Sequence, residues 1–520
     1  MDSLFWRIHG KPKLGSSAAE WLFLFLFVAL VSPTVISYSP YQLSWDESYY
    51  LGQAICANQA VYAFNATHLS GCMDESFKGP IMQVINLPWG KAGGTELGIG
   101  LAFVGLALVI WILVLSTYLA CRLIGIPPTS LLLAGATIAL TPFLRSSAGA
   151  MMTDTLLGWC IALALMLIPL EYCRPSGDVW PSILRGVLWG FVFDIGMLSK
   201  VTFIFFLCLI GMALLPIRER YSGEWPLRYA FLGCIVGFLP AILIWWFHWR
   251  SFLGFAFRVA WGDQARLWAV MGMTPAGYLK DYFSHLGLAL IPLSILAFLF
   301  VRGIAIENHK RFARLLPVAL ILLYLGIAAK SQNRDRRFSI PVTVALPICL
   351  AWTSLKAPQA SRVGVAPALV ALATGGILSI PMIRRPDIVP IQKARVLIRK
   401  LCQEPTNQSP SVRIVLADDG PSFNINTFLL AKQFEEGASC QVELDTLVYD
   451  SVNQRSLQDS LKRIDTATFV VFLKPGIAAG PDWSRVHDSE FRAYCEKVGT
   501  LQDSAISLEL DVFKIGSHSS

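Results

Sequence analysis

Residues 21–55 read WLFLFLFVALVSPTVISYSPYQLSWDESYYLGQAI. As far as Tyr38 the stretch carries no charge and is long enough to cross a hydrocarbon core of about 30 Å. A segment this long that satisfies its own backbone bonds in lipid reads as a helix. Asp46 and Glu47 follow the run, with Tyr49 and Tyr50 suited to a membrane interface. Upstream, residues 1–20 have the basic start of a signal peptide. The apolar run behind them is too long for one and no small-residue cleavage site closes it, so it reads as a retained first span.

Outward from this stretch, apolar runs recur at about 97–119, 129–143, 154–170, 186–198, 201–216, 229–247, 284–301, 315–329, 340–355 and 363–382. With the first, that makes about eleven spans. Composition agrees. Of 520 residues 54% are hydrophobic and 15% charged, where a soluble domain carries roughly a quarter charged. With the N-terminus inside, the inner loops hold Arg122, Arg174, Arg185, Arg218, Arg302, Lys310 and Arg314. The first outer loop, about 39–96, has only Lys78 and Lys91. The net charge of +8 therefore belongs to loop cations facing lipid phosphates, and no nucleic-acid partner is implied. Outer loops 248–283 and 330–339 break the rule by carrying many cations: either the topology is wrong there or those cations have work to do, and the second reading keeps one consistent odd-span topology.

The character changes after Pro381. Residues 384–520 contain no membrane-length run and read as a soluble α/β domain, set apart from a transmembrane domain over 1–383. Strands are expected at 412–417, 440–449, 468–474 and 506–515, with helices around 422–436, 453–464 and 487–497, which suits a doubly wound sheet. An odd span count places this domain outside, with the first outer loop. The eleven cysteines show no zinc-like spacing. Cys56 and Cys72 share one hydrophilic loop, where an oxidising compartment allows them to pair.

Four charged features stand at span ends. Asp46 and Glu47 follow the first span, and Lys78-Gly79-Pro80 comes later in the same loop. On the bland reading the acids are a solvated helix start and the lysine a snorkelling anchor. Thr153-Asp154 opens a span, where an N-cap is sufficient reason for either residue. Lys330, Arg334, Arg336 and Arg337 precede a late span, and Arg250, Arg258, Arg266 and Lys280 fill the loop before it. A phosphate at the membrane surface wants such cations, and so do anionic headgroups.

In that order, over roughly residues 20–350, these motifs resemble the polyprenyl/dolichyl-phosphate-sugar glycosyltransferases of the C-type fold. That family includes the protein O-mannosyltransferases and the bacterial lipid A aminoarabinose transferases. The resemblance implies that Asp46 is the catalytic loop aspartate and that Asp154, which matches the family's Thr-Asp aspartate, is catalytic with it. It implies that Lys78 contacts the carrier phosphate, although Gly79 stands where the family's Lys-Pro-Pro has a proline. It also implies a lipid, glycan or protein acceptor, and a bacterial inner or plasma membrane as the site. Some relatives use a divalent metal, for which Asp46, Glu47, Asp74 and Glu75 offer hard oxygen ligands.

The chemistry is coherent by itself. A carrier phosphate is already a good leaving group, so the reaction needs a base for the acceptor and positive charge on the departing phosphate. Asp46 supplies the base, with Glu47 as a supporting acid. Lys78, Arg258, Arg334, Arg336 and Arg337 supply the charge, and a single displacement inverts the anomeric carbon. The rival is a transporter or flippase, which predicts inverted repeats and charges near the midplane. No repeat is found, and Asp194, mid-span in GFVFDIGML, is the one charge that favours it.

Overall fold

The computed structural model describes residues 18–35, 41–42, 45–74, 81–86, 96–147, 153–173, 179–200, 203–214, 228, 231–239, 241, 254, 273–306, 311–331 and 334–353. Beyond these it describes 386–387, 389–403, 411–418, 420, 423–433, 440–448, 450, 455–474, 487–502 and 510–515. The chain forms two compact units. One comprises Met1–Tyr38, Asp74–Ile81 and Phe103–Arg384; the other comprises Ser39–Met73, Met82–Ala102 and Arg385–Ser520. The first outer loop therefore groups largely with the C-terminal residues.

Helices in chain order are α1 (Ala18–Val35), α2 (Trp45–Tyr62), α3 (Ala66–Asp74), α4 (Ile81–Asn86), α5 (Glu96–Leu123), α6 (Pro128–Ala139) and α7 (Pro142–Ser147). There follow α8 (Thr153–Cys173), α9 (Val179–Ser199), α10 (Phe203–Leu214), α11 (Pro275–Leu286), α12 (Leu290–Ile306), α13 (Arg311–Lys330) and α14 (Ile340–Leu350). Among the described residues, six helices are long and apolar enough to cross a membrane. They are Ala18–Val35, Gly100–Leu123, Thr153–Glu171, Ser182–Ser199, Pro275–Ala305 and Phe312–Lys330. The chain is an integral membrane protein.

Eleven similar spans are not what these residues show. The runs expected at 129–143, 201–216 and 340–355 are the short helices α6, α10 and α14, each of 11 or 12 residues. At 1.5 Å per residue these reach only about 16–18 Å. Hydropathy windows see apolarity and not helix length, and α6 and α14 are apolar because they are wholly buried. The run expected at 363–382 lies outside the described residues.

The first unit is built around α8, against which α14, α9, α13 and α10 pack. One crossing depends on glycine. A Cβ on Gly190 of α9 would fall 2.3 Å from the Cys234 carbonyl oxygen, and one on Gly233 would fall 2.3 Å from that of Ile183. Only missing side chains let two backbones approach so closely, as in GxxxG pairs within membranes. Polar side chains gather at the two ends of the α8–α9 pair. At one end Glu171 accepts from Arg185 (3.2 Å) and from the Trp189 indole (3.3 Å). At the other, Asp154 meets Lys200. Asp194 is buried between the ends, where its Oδ1 accepts from the backbone N–H of Ala241, one residue beyond Pro240. A proline leaves nearby backbone groups without helical partners, and this carboxylate satisfies one. Asp194 therefore has a structural partner, which accounts for a mid-span carboxylate without transport.

In the second unit, α15 (Val389–Gln403), α16 (Ile425–Gln433), α17 (Leu457–Asp465) and α18 (Asp488–Val498) accompany strands. A short parallel bridge joins β1 (Tyr41–Gln42) to β2 (Pro386–Asp387). A five-stranded sheet comprises β3 (Ser411–Leu416), β4 (Gln441–Thr446), β5 (Phe469–Leu473), β6 (Gly499–Leu501) and β7 (Leu510–Ile515), in the order β4-β3-β5-β7-β6. The first three strands of that sheet run parallel, as a doubly wound pattern requires, whereas β7 and β6 add an antiparallel edge. Phe469 to Leu473 are all buried, which is the run of a strand covered on both faces. Arg463 ties the helical layer to the β4 end, pairing with Asp445 and Asp450. Burial works against the Asp445 charge. The hydrogen bonds from Arg463 and Arg413 outweigh it and hold the carboxyl below the ordinary carboxylate range.

Two disulfides lie in this unit. Cys56–Cys72 joins α2 to α3, as the loop's composition allowed. Cys402–Cys440 joins the end of α15 to the residue before β4, a pair that no spacing announced.

Candidate active site

The charged end of the first unit is assembled from three breaks in its helices. Asp154 is the second residue of α8 and is 3% exposed. Lys200 sits just past the end of α9, where its ammonium contacts Asp154 Oδ1 and lies 5.1 Å from the Phe338 ring centroid. Between α13 and α14 the chain makes a 3-10 turn, Arg336–Ser339, capped by Asp335. The Asp335 carboxylate accepts from the Arg337 backbone N–H at 2.9 Å and from Arg337 Nε at 2.8 Å. Burial alone would raise this carboxyl. The charge and hydrogen bonds of Arg337, with Lys200 behind them, win and keep it below the ordinary range.

The three arginines of this loop are not equivalent. Arg336 forks onto Asp281 of α11, Nε at 2.8 Å and the second nitrogen at 3.0 Å. Arg337 is matched by Asp335 at 2.7 Å. Arg334 instead donates to two backbone carbonyls, Ala329 at 3.0 Å and Met273 at 2.6 Å. Among the described residues no carboxylate lies within ion-pair distance of it, so its position is fixed while its charge stays unneutralised. Nearby, Arg145 of α7 donates to the Ala139 carbonyl at 2.6 Å. A cleft beside the loop is lined by Phe143, Tyr278, Asp281, Tyr282, His285, Arg336 and Ser339. The end as a whole has cations placed by backbone carbonyls and carboxylates, an arrangement suited to an oxyanion.

The other sequence candidates are not described at this end. Asp46 and Glu47 occupy the first turn of α2 in the second unit, and their side chains lie outside the described ones. Lys78, Glu75 and Arg258 lie outside the described residues, as does the Asp74 side chain. The structure thus joins Asp154 to the 334–337 loop through Lys200. Lys200, Asp281 and Asp335 went unread as site residues. A lysine after a span end and an aspartate inside an arginine run were the available signals. For a metal, the described residues bring three ligand atoms together at Cys56, His68 and Cys72. The two sulfurs there form a disulfide, which leaves no thiolate to donate.

Two solved structures share this architecture. One is ArnT from Cupriavidus metallidurans in the apo state, with a TM-score of 0.54 at 13% identity over 96% of this chain and 99% of that one. The other is ArnT from the same organism bound to undecaprenyl phosphate, with a TM-score of 0.53 at 12% identity over 96% and 98%. The fold is that of ArnT. It is the C-type fold that the order of motifs implied. Because the match to ArnT spans 96% of the chain, most of residues 385–520 fall within what the two proteins share. No protein-family profile and no curated protein sequence matches this chain.

Proposed function

We propose that this protein is a membrane glycosyltransferase that moves a sugar from a polyprenyl-phosphate carrier to a lipid, glycan or protein acceptor, with inversion. The observation that carries the reading is full-length likeness to a fold that is also found with undecaprenyl phosphate bound. The cation-rich end of the first unit supports it, with Arg334 held by the Ala329 and Met273 carbonyls in the sequence segment where phosphate contacts were expected.

In the reaction, the acceptor oxygen or nitrogen attacks the anomeric carbon as the bond from that carbon to the carrier phosphate oxygen breaks. The acceptor proton passes to the Asp46 carboxylate, and the electron pair leaves on the phosphate. Lys78, Arg258, Arg334, Arg336 and Arg337 are the cations that receive it, with Asp154 holding Lys200 beside them and Glu47 supporting Asp46. Two disulfides in the second unit support its placement in an oxidising compartment outside the cytoplasm.

The test uses purified protein with a radiolabelled polyprenyl-phosphate sugar. Wild type is expected to release free polyprenyl phosphate, and Asp46→Asn to lose at least 100-fold in kcat, the low end for a positioned base, with donor binding retained. Turnover by Asp46→Asn near the wild-type rate removes Asp46 from that role. A wild-type chain that neither binds nor cleaves any such donor removes the transferase reading itself.

A further inference from the structure

The helix that carries Asp46 is held at three places, at two of them by residues after Arg385. At its entry, Tyr41 and Gln42 pair in parallel register with Pro386 and Asp387, only four residues before Asp46. Along its length, α2 packs against α16, which packs in turn against α15. At its far end, the Cys56–Cys72 bridge ties α2 to α3. Helices α2 and α16 are in ordinary van der Waals contact at Gly52. A Cβ built on Gly52 would lie 3.8 Å from Gln433 Oε1 and 3.9 Å from its Nε2, so the bare backbone of α2 lies against the end of α16.

Gln433 Oε1 is buried there and has no hydrogen-bond partner among the described residues. A buried unpaired acceptor carries a desolvation cost. Gly52 and Asp46 are six residues apart, about 9 Å along the helix axis and about 120° around it. The seam with α16 therefore grips one face of α2 and leaves Asp46 on another. A reacting group displaced by even about 1 Å loses much of its rate, so whatever fixes this helix acts on the chemistry.

We propose that the C-terminal domain is the scaffold of the catalytic helix, and that Gln433, set against Gly52, positions Asp46. This rests on the role given to Asp46 above. Gly52→Leu inserts volume into the seam. It is expected to lower kcat at least tenfold with the donor KM within twofold, and to speed amide exchange over Trp45–Tyr62 while leaving Thr153–Cys173 unchanged. Adding Gln433→Ala makes room and is expected to return both readouts toward wild type, which general damage would not do. Gln433→Ala alone removes the contact without overpacking and is expected to lower kcat about threefold, so it serves if Gly52→Leu does not fold. Wild-type exchange and kcat in Gly52→Leu, or a loss that Gln433→Ala leaves in place, overturns the proposal. Amide exchange needs no donor. A wild-type chain inactive on every polyprenyl-phosphate sugar therefore fails the transferase reading, while exchange still decides whether α16 holds α2.

Discussion

Asp154 and Lys200 form a pair in which the carboxylate side chain is 4% exposed and the ammonium 21%. Removing one partner of such a pair leaves the other buried and uncompensated, at about 3–5 kcal/mol. Lys200→Met is therefore expected to lower the thermal midpoint sharply, and Lys200→Met with Asp154→Asn to recover most of that loss. If Asp154 also serves the reaction, the double variant regains stability without regaining turnover. Equal destabilisation by the single and double variants in a thermal scan would show that the pair is not coupled. Single residues stood out in the sequence by their place at span ends. Asp154 announced itself by opening a span, and Asp46 by following one. Lys200 meets a partner 46 positions away and Arg336 one 55 positions away, and such pairs exist only once helices have docked. The sequence showed cations before α14 but could not sort them. Arg334, bound to carbonyls, differs from Arg337, bound to a carboxylate, through contacts that no local pattern encodes.

At the scale of elements, β3, β4, β5 and β7 fall on or beside the strands expected from the sequence, whereas β6, the antiparallel pairing at that edge and α15 were not expected. The α15 helix has a polar outer side and no flanking signal beyond Pro390 at its first turn. Among the described residues α6, α10 and α14 are shorter than the runs expected there, and burial inside protein and burial in lipid select the same side chains. The disulfides give a quantitative comparison. The bridges close sequence separations of 16 and 38 residues. Restriction of the unfolded chain predicts about 3 kcal/mol for the shorter and about 4 kcal/mol for the longer. Replacing Cys402 and Cys440 by serine is expected to lower the thermal midpoint more than replacing Cys56 and Cys72. The serine pair at 56 and 72 is expected to depress kcat further than its midpoint loss implies, because that bridge braces α2. Reversal of the stability order, read by scanning fluorimetry, would set aside the loop-entropy account.

For the whole molecule, the decisive quantity is which side of the membrane holds the second unit. Ser39–Met73 and Arg385–Ser520 belong to one compact unit, so the loop with Asp46 and the C-terminal residues share a compartment. Positive-inside bias argues for that loop outside, since it carries two lysines against Arg122, Arg174, Arg218, Arg302 and Lys310 in the loops expected inside. Two disulfides in the same unit argue independently for an oxidising compartment. A polyprenyl-phosphate donor whose reaction is completed outside the cytoplasm requires both arguments to hold. A cysteine introduced at Ser519, with both disulfides left intact and the unaltered chain as control, is expected to react with a membrane-impermeant maleimide added to intact cells. Labelling that appears only after lysis places the unit in the cytoplasm. That outcome reverses the topology and takes Asp46 to the wrong face for the proposed transfer, although the contact between α2 and α16 would survive it, since both lie in the unit being moved.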